Sequence, residues 1–105
     1  MLAVVVEHKV KPGMMAAART RIDTNSERIA QCDGLLMRLT SVPKDRPDWI
    51  VTITVWTDQN AVEAWDRQKA GVPLQKASDL YDQVQKMILP DCAHLGPVNL
   101  TDRIS

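Results

Sequence analysis

The chain has 105 residues with 13 Lys and Arg against 13 Asp and Glu, and its isoelectric point falls near 6.7. That length makes a single domain, residues 1–105, able to bury roughly two thirds of its unfolded surface. Scattered basic residues at zero net charge supply no field for nucleic acid or an anionic membrane, so neither is an expected partner. No stretch approaches the ~18 apolar residues of a membrane span. The apolar run at the amino terminus lacks a basic leader and stops at Glu7, short of the ~7–15 residues of a signal core. Cys32 and Cys92 form no Cys-x-x-Cys, and two reduced thiols in a cytoplasmic protein are the expectation.

Leu2 to Val10 is apolar and β-branched and ends at Lys11-Pro12-Gly13, which predicts a first strand. Alternation sorts Val4, Val6 and His8 to one side, Ala3, Val5 and Glu7 to the other. From Met14 to Asp33, Met15, Ala18, Ile22, Ile29 and Cys32 recur at steps of three and four. They make an amphipathic helix with Arg19, Arg21, Glu27 and Arg28 outside. Asn25 lies on or beside the inner stripe and must find a partner, in the backbone, in water or in a pocket. Gly34 ends the helix, and Leu35 to Val42 reads as a second strand with Leu35, Met37 and Leu39 opposite Leu36, Arg38 and Thr40. The charged, proline-bounded turn from Pro43 to Asp48 leads into a third strand, most simply as an antiparallel hairpin.

Trp49 to Trp65 is the most organised stretch. Nearly every residue from Trp49 to Trp56 is β-branched or aromatic, the composition of a half-buried pleated surface. Trp49, Val51, Ile53 and Val55 form one face, Ile50, Thr52, Thr54 and Trp56 the other, and the lack of charge on either predicts that both are covered. Thr57 or Asp58 caps a helix whose stripe is Ala61, Val62 and Trp65. Gly71-Val72-Pro73 breaks that helix. Leu74, Ala77, Leu80, Tyr81, Val84, Met87 and Ile88, spaced by three and four, predict a further helix ending before Pro90. Alternation from Val98 to Ile104 suggests a short final strand.

This order matches an α+β, ferredoxin-like β-α-β-β-α-β fold, a four-stranded antiparallel sheet with helices on one face. The other face would carry Ala3, Val5, Val51, Ile53 and Val55. Such a surface cannot be left in water, so a homodimer through the sheet is expected. On the helix side His8, Thr52, Thr54 and Trp56 would converge with Trp65 into a mainly apolar chamber with a few polar groups, suited to a small organic ligand. Each residue also has a plainer reading: Trp56 and Trp65 as core filler, His8 as a hydrogen-bonded strand residue, the threonines as strand formers, and Tyr81 packed on the later helix with its hydroxyl at the rim. His94 and Cys92, two ligand types on a connector, fall short of a metal site.

Three features together resemble the antibiotic-biosynthesis monooxygenase domains of the dimeric α/β-barrel superfamily. They are the valine-rich first strand followed by Pro12-Gly13 and a helix, Asp33-Gly34-Leu35 opening strand two, and the stretch from Thr54 to Trp65 with its Val-Trp and Ala-Trp pairs. The likeness covers roughly residues 2 to 75 and implies a dimeric α/β barrel. Cofactor-free members of that family oxidise polycyclic phenols, anthrones or quinols with dioxygen. By that resemblance His8 is the candidate general base, with Thr52 or Asn25 as oxyanion donor and Trp56 and Trp65 as pocket walls. His8, Thr52 and Trp65 are thus candidate catalytic residues, and Asn25, Thr54, Trp56 and Tyr81 candidate substrate-binding residues, with no metal and no cofactor. Some members carry asparagine where Thr52 falls. A second chemistry in the superfamily takes haem as substrate, using a strand-one asparagine, a tryptophan matching Trp65 and an iron-ligating histidine. Here the first of these positions holds His8 and the last falls near Gln75. A third reading is a non-catalytic dimeric module that binds a small hydrophobic metabolite.

Overall fold

The computed structural model describes residues 1–70, 77–90 and 92. Four strands, β1 (Leu2–Val10), β2 (Leu35–Ser41), β3 (Trp49–Trp56) and β4 (Tyr81–Leu89), form one sheet in the order β2-β3-β1-β4. Every neighbouring pair is antiparallel. Helix α1 (Met15–Ile29) joins β1 to β2, and α2 (Gln59–Ala70) and the short α3 (Ala77–Leu80) lie between β3 and β4. This is the expected ferredoxin-like arrangement, with the helices against one face.

Register fixes the two faces. Leu2, Val4, Val6 and His8 pair with Trp56, Thr54, Thr52 and Ile50, while Ala3, Val5 and Glu7 pair with Val55, Ile53 and Val51. Directly paired residues share a side of the pleat, so the alternation read from the sequence holds on β1 and β3. On β2 it does not hold throughout. An irregularity between Leu35 and Met37 brings Leu35 opposite Trp56, and Leu35 packs into the core beneath the helices instead of sharing a face with Met37 and Leu39. One extra residue in a strand reverses every side chain on one side of it.

Gly34 takes φ +89°, and a Cβ built there would lie 2.6 Å from Ala61 Cβ and 2.8 Å from Thr57 Oγ1. Both its backbone conformation and its neighbours therefore demand glycine. The Gly34 carbonyl accepts from Thr57 N–H at 2.8 Å, tying the start of β2 to the end of β3. Of the two proposed caps for α2, Asp58 makes the bond, its Oδ1 accepting from Ala61 N–H at 2.9 Å.

The helix expected from Leu74 to Ile88 is the one element misread. Among the described residues of that span only Ala77–Leu80 is helical, and Tyr81 onward runs as β4 along the edge of β1. Val84, Met87 and Ile88 have helical spacing yet remain 42–55% exposed, so that spacing does not mark a buried stripe. Pairing with the open edge of β1 from Ala3 to Val10 satisfies the backbone instead. Tyr81 is therefore the first residue of a strand, not part of a helix stripe. The final strand expected from Val98 to Ile104 lies outside the described residues.

Two buried clusters fill the layer between sheet and helices. One joins Leu2, Val4 and Trp56 of the sheet to Ile29 of α1 and Val62 and Trp65 of α2. The other joins Val10 and Ile50 to Ala18 and Ile22 of α1, with Leu80 and Tyr81. On the opposite face Ala3 and Val55 are already buried within the chain, whereas Leu39, Met87 and Leu89 are 44–55% exposed. The surface expected to need covering is thus shifted toward the sheet edges. Among the described residues no helix is long and apolar enough to cross a membrane.

Candidate active site

The two clusters leave a gap, and the sequence places polar residues at it on three elements. Along β1 the inward residues run Val4, Val6, His8, Val10; along β3, Ile50, Thr52, Thr54, Trp56; along α1, Ile22, Asn25, Ile29. In each case the ends belong to a buried cluster and the middle carries His8, the threonines or Asn25. A cavity of about 450 Å³ occupies this gap, a size suited to a small organic ligand. His8, Asn25, Thr52, Thr54, Trp56, Trp65 and Tyr81 all line it. Val84 also lines the cavity and is 47% exposed, so the cavity opens on the β4 side.

His8 is the one histidine among the described residues of the wall. Its Nδ1 lies 3.1 Å from the Ile50 carbonyl oxygen. A carbonyl only accepts, so Nδ1 carries the proton and the neutral ring keeps its lone pair on Nε2. Burial lowers the pKa of His8 below its ordinary 6.5. The Ile50 bond opposes that shift, while the positive charges of Arg21, Arg38 and Lys69 reinforce it. His8 is therefore neutral at pH 7, with Nε2 able to take a proton. The Tyr81 ring lies 4.8 Å from the imidazole, tilted by 43°. Burial raises the pKa of Tyr81, and Arg21 works against that rise, so its hydroxyl stays protonated and can donate.

The aromatic walls are fixed by specific contacts. Trp56 is 1% exposed, and its Nε1–H donates to Thr54 Oγ1 at 2.8 Å. Thr54 thus serves the wall through Trp56. Arg28 lies over Trp65, its guanidinium carbon 5.5 Å from the ring centroid, and donates through Nη2 to the Gln68 carbonyl at 3.0 Å. Arg28 was expected outside α1 but clamps α2. Asn25 Oδ1 is buried and finds no hydrogen-bond partner among the described residues. Thr52 is 8% exposed and lines the cavity.

Sequence reasoning missed the charged part of the wall. Arg21, Arg38, Asp66, Lys69 and Lys86 also line the cavity. Arg21 had been assigned to the outer face of α1. Arg38 was visible as a lone charge among hydroxyl and apolar residues on β2, but only the pairing of Arg38 with Thr54 puts it on the inner face. Lys86 fell in the segment misread as helix. Among the described residues no group of three or more His, Cys, Asp or Glu side chains is arranged to hold a metal. The iron-ligand position near Gln75 and His94 both lie outside the described residues.

The antibiotic biosynthesis monooxygenase family model matches residues 1–70. No curated protein matches the sequence significantly. Solved structures share the fold at low identity. A conserved protein from Methanosarcina mazei Go1 is 18% identical with a TM-score of 0.77, covering 87% of this chain and 92% of that one. SnoaB, a cofactor-independent oxygenase from Streptomyces nogalater, is 20% identical with a TM-score of 0.75, covering 91% and 97%. Rv0793 from Mycobacterium tuberculosis is 15% identical with a TM-score of 0.73, covering 90% and 98%. The structural likenesses carry the fold, and the family match carries more: the chain belongs to the antibiotic biosynthesis monooxygenase family, which supports a monooxygenase type of function for it.

Proposed function

We propose that the cavity is the active site of a cofactor-independent monooxygenase that oxidises a small aromatic or polycyclic, quinol- or anthrone-like substrate with dioxygen. The observation that carries this reading is a neutral histidine on the cavity wall with one nitrogen committed to the backbone and the other able to accept a proton. An activated CH2 or phenol needs such a base, because the anion left by its deprotonation is the electron donor to dioxygen. For an anthrone the CH2 group becomes C=O, with one atom of O2 in the new carbonyl and the other in water.

In this reading His8 takes the proton, and Thr52 or Asn25 donates to the developing oxyanion. Asn25 can do so through its NH2 group. Trp56 and Trp65 bound the ring system, and Tyr81 supplies a second donor beside the base. The fold neighbour SnoaB, named a cofactor-independent oxygenase, supports a reaction without cofactor. Leu39, Met87 and Leu89, exposed on the other face, support pairing with a second copy of the chain through the sheet, as in a dimeric α/β barrel.

The test is oxygen uptake by protein stripped of metal and flavin. Anthrone should be consumed with one O2 per molecule, and labelled dioxygen should leave one labelled atom in the product carbonyl. Absence of uptake across a panel of anthrones and quinols, or uptake only after flavin or haem is added, would remove this reading.

A further inference from the structure

Arg28 is not among the residues lining the cavity, yet it meets α2 where part of the wall is made. Its guanidinium carbon lies 5.5 Å from the centroid of the Trp65 ring, and its Nη2 donates at 3.0 Å to the carbonyl of Gln68, one helical turn beyond Trp65 on α2. A second bond reaches the same residue from just past the end of α1, the Cys32 thiol donating to Gln68 Oε1 at 3.5 Å. The end of α1 thus grips α2 beside a wall residue.

Two polar atoms of this region are left over. Asn25 Oδ1 and Arg28 Nη1 are both buried, and neither has a hydrogen-bond partner among the described residues. No carboxylate pairs with Arg28 there either. An unpaired acceptor and an unpaired donor each keep a desolvation cost that nothing offsets, and these two are complementary. They belong to residues three apart on α1, a spacing that brings side chains together on one side of a helix. An asparagine amide has a donor end and an acceptor end, so the group that holds its oxygen decides where its nitrogen points.

We propose that Arg28 is a positioning residue for the cavity: when a ligand binds, its Nη1 takes hold of Asn25 Oδ1 and so turns the Asn25 NH2 into the cavity as a donor, while the same guanidinium fixes the Trp65 wall. The proposal rests on the reading of Asn25 and Trp65 as site residues and adds the group that couples them. Side-chain rotation of Asn25 closes the pair, as catalytic hydrogen bonds commonly tighten only in the complex. One guanidinium then ties a polar donor on α1 to an aromatic wall on α2. Lysine cannot do both tasks, because an ammonium over the ring offers one nitrogen where the planar fork offers one to the Gln68 carbonyl and another to Asn25. Arg21, four residues before Asn25 on α1 and on the cavity wall, is the competing cation, and the two must be told apart.

The experiment is a double-mutant cycle on the equilibrium binding of 9-fluorenone, followed by quenching of tryptophan fluorescence. This neutral ring ketone presents only an acceptor and has no acidic CH to lose, so the outcome is independent of whether the protein is an oxygenase. Arg28→Lys should weaken binding by about fivefold or more in the wild-type background and by less than about twofold in the Asn25→Ala background. Asn25→Asp supplies a second readout that a merely structural arginine would not move. Its carboxylate should raise the denaturation midpoint by pairing with Arg28 while weakening fluorenone binding, and the gain in midpoint should vanish on adding Arg28→Gln, whereas a gain owed to Arg21 would persist. Equal losses from Arg28→Lys in both backgrounds, a midpoint gain that is absent or survives Arg28→Gln, or failure of the wild type to bind fluorenone would overturn the proposal. Failure of oxygen uptake with the coupling intact would instead overturn the oxygenase reading alone.

Discussion

The two ends of the layer between sheet and helices are packed, and its middle is not. At one end Trp56, Ile29, Val62 and Trp65 close against Leu2 and Val4; at the other Ile50, Ile22, Ala18 and Leu80 close against Val10. Between them the same strands and the same helix carry His8, Thr52, Thr54 and Asn25, and the cavity is there. The comparison teaches that packing and the polar wall of the cavity are assigned to different positions of the same elements. A strand of alternating residues delivers both when its inward positions change from apolar to polar and back.

That division can be broken most severely at Trp56, which is 1% exposed. Trp56→Ala should lower unfolding free energy by about 3–5 kcal/mol, read from denaturant midpoints, and a loss below about 1 kcal/mol would contradict its place in the packed end. The mirror-image test is His8→Ala, which should cost about 10²–10⁴-fold in turnover with the denaturation midpoint nearly unchanged. A variant that unfolds while its folded fraction keeps full activity would reverse the assignment. Trp65→Ala, at the boundary of both regions, should lose stability and turnover together.

Smaller effects sharpen the picture. Gly34→Ala must take a left-handed conformation, at a cost of about 1–2 kcal/mol, and must also move Ala61 or Thr57; it should be destabilised without altering substrate preference. On the open face, Leu39→Glu combined with Met87→Glu should convert a dimer to a monomer in sedimentation at micromolar concentration; a wild type that already sediments as a monomer would refute pairing through the sheet. Removing the α2 cap with Asp58→Ala should cost about 1 kcal/mol, visible in thermal midpoints. His8 also links stability to pH. Its folded pKa is lowered by burial, so its contribution is full above its unfolded value near 6.5 and is lost as pH falls through the lower folded value. Relative to His8→Gln, the wild type should lose stability on acidification only in that window.

Most of the fold could be read from the residues because period and composition agreed. β-Branched alternation marked β1 and β3, three- and four-residue spacing marked α1 and α2, and Gly34 marked the turn between α1 and β2. β4 was misread because its apolar residues, Val84, Met87 and Ile88, happen to be spaced like a helix stripe while being exposed at the sheet edge. What decides that segment is the unpaired edge of β1, a partner distant in sequence. The same nonlocality explains the site. His8, Asn25, Thr52, Thr54, Trp56 and Trp65 could be named from the inward faces of elements, whereas Tyr81 was named from a helix stripe where the structure has the start of β4. The cations of the site could not, since Arg38 joins the wall only through its register with Thr54, Lys86 only through its pairing with Val6, and Arg21 through the depth of the cavity beside α1.

The central claim is that His8 acts as the base in a cavity held open between two packed cores. The pH dependence of kcat/KM for anthrone oxidation, measured on metal- and flavin-free wild type and His8→Ala, tests it most directly. The wild type should show an acid limb with an apparent pKa below 6.5, and His8→Ala should lose that limb and keep only a slow rate that rises with hydroxide. An identical acid limb in both proteins would contradict the account.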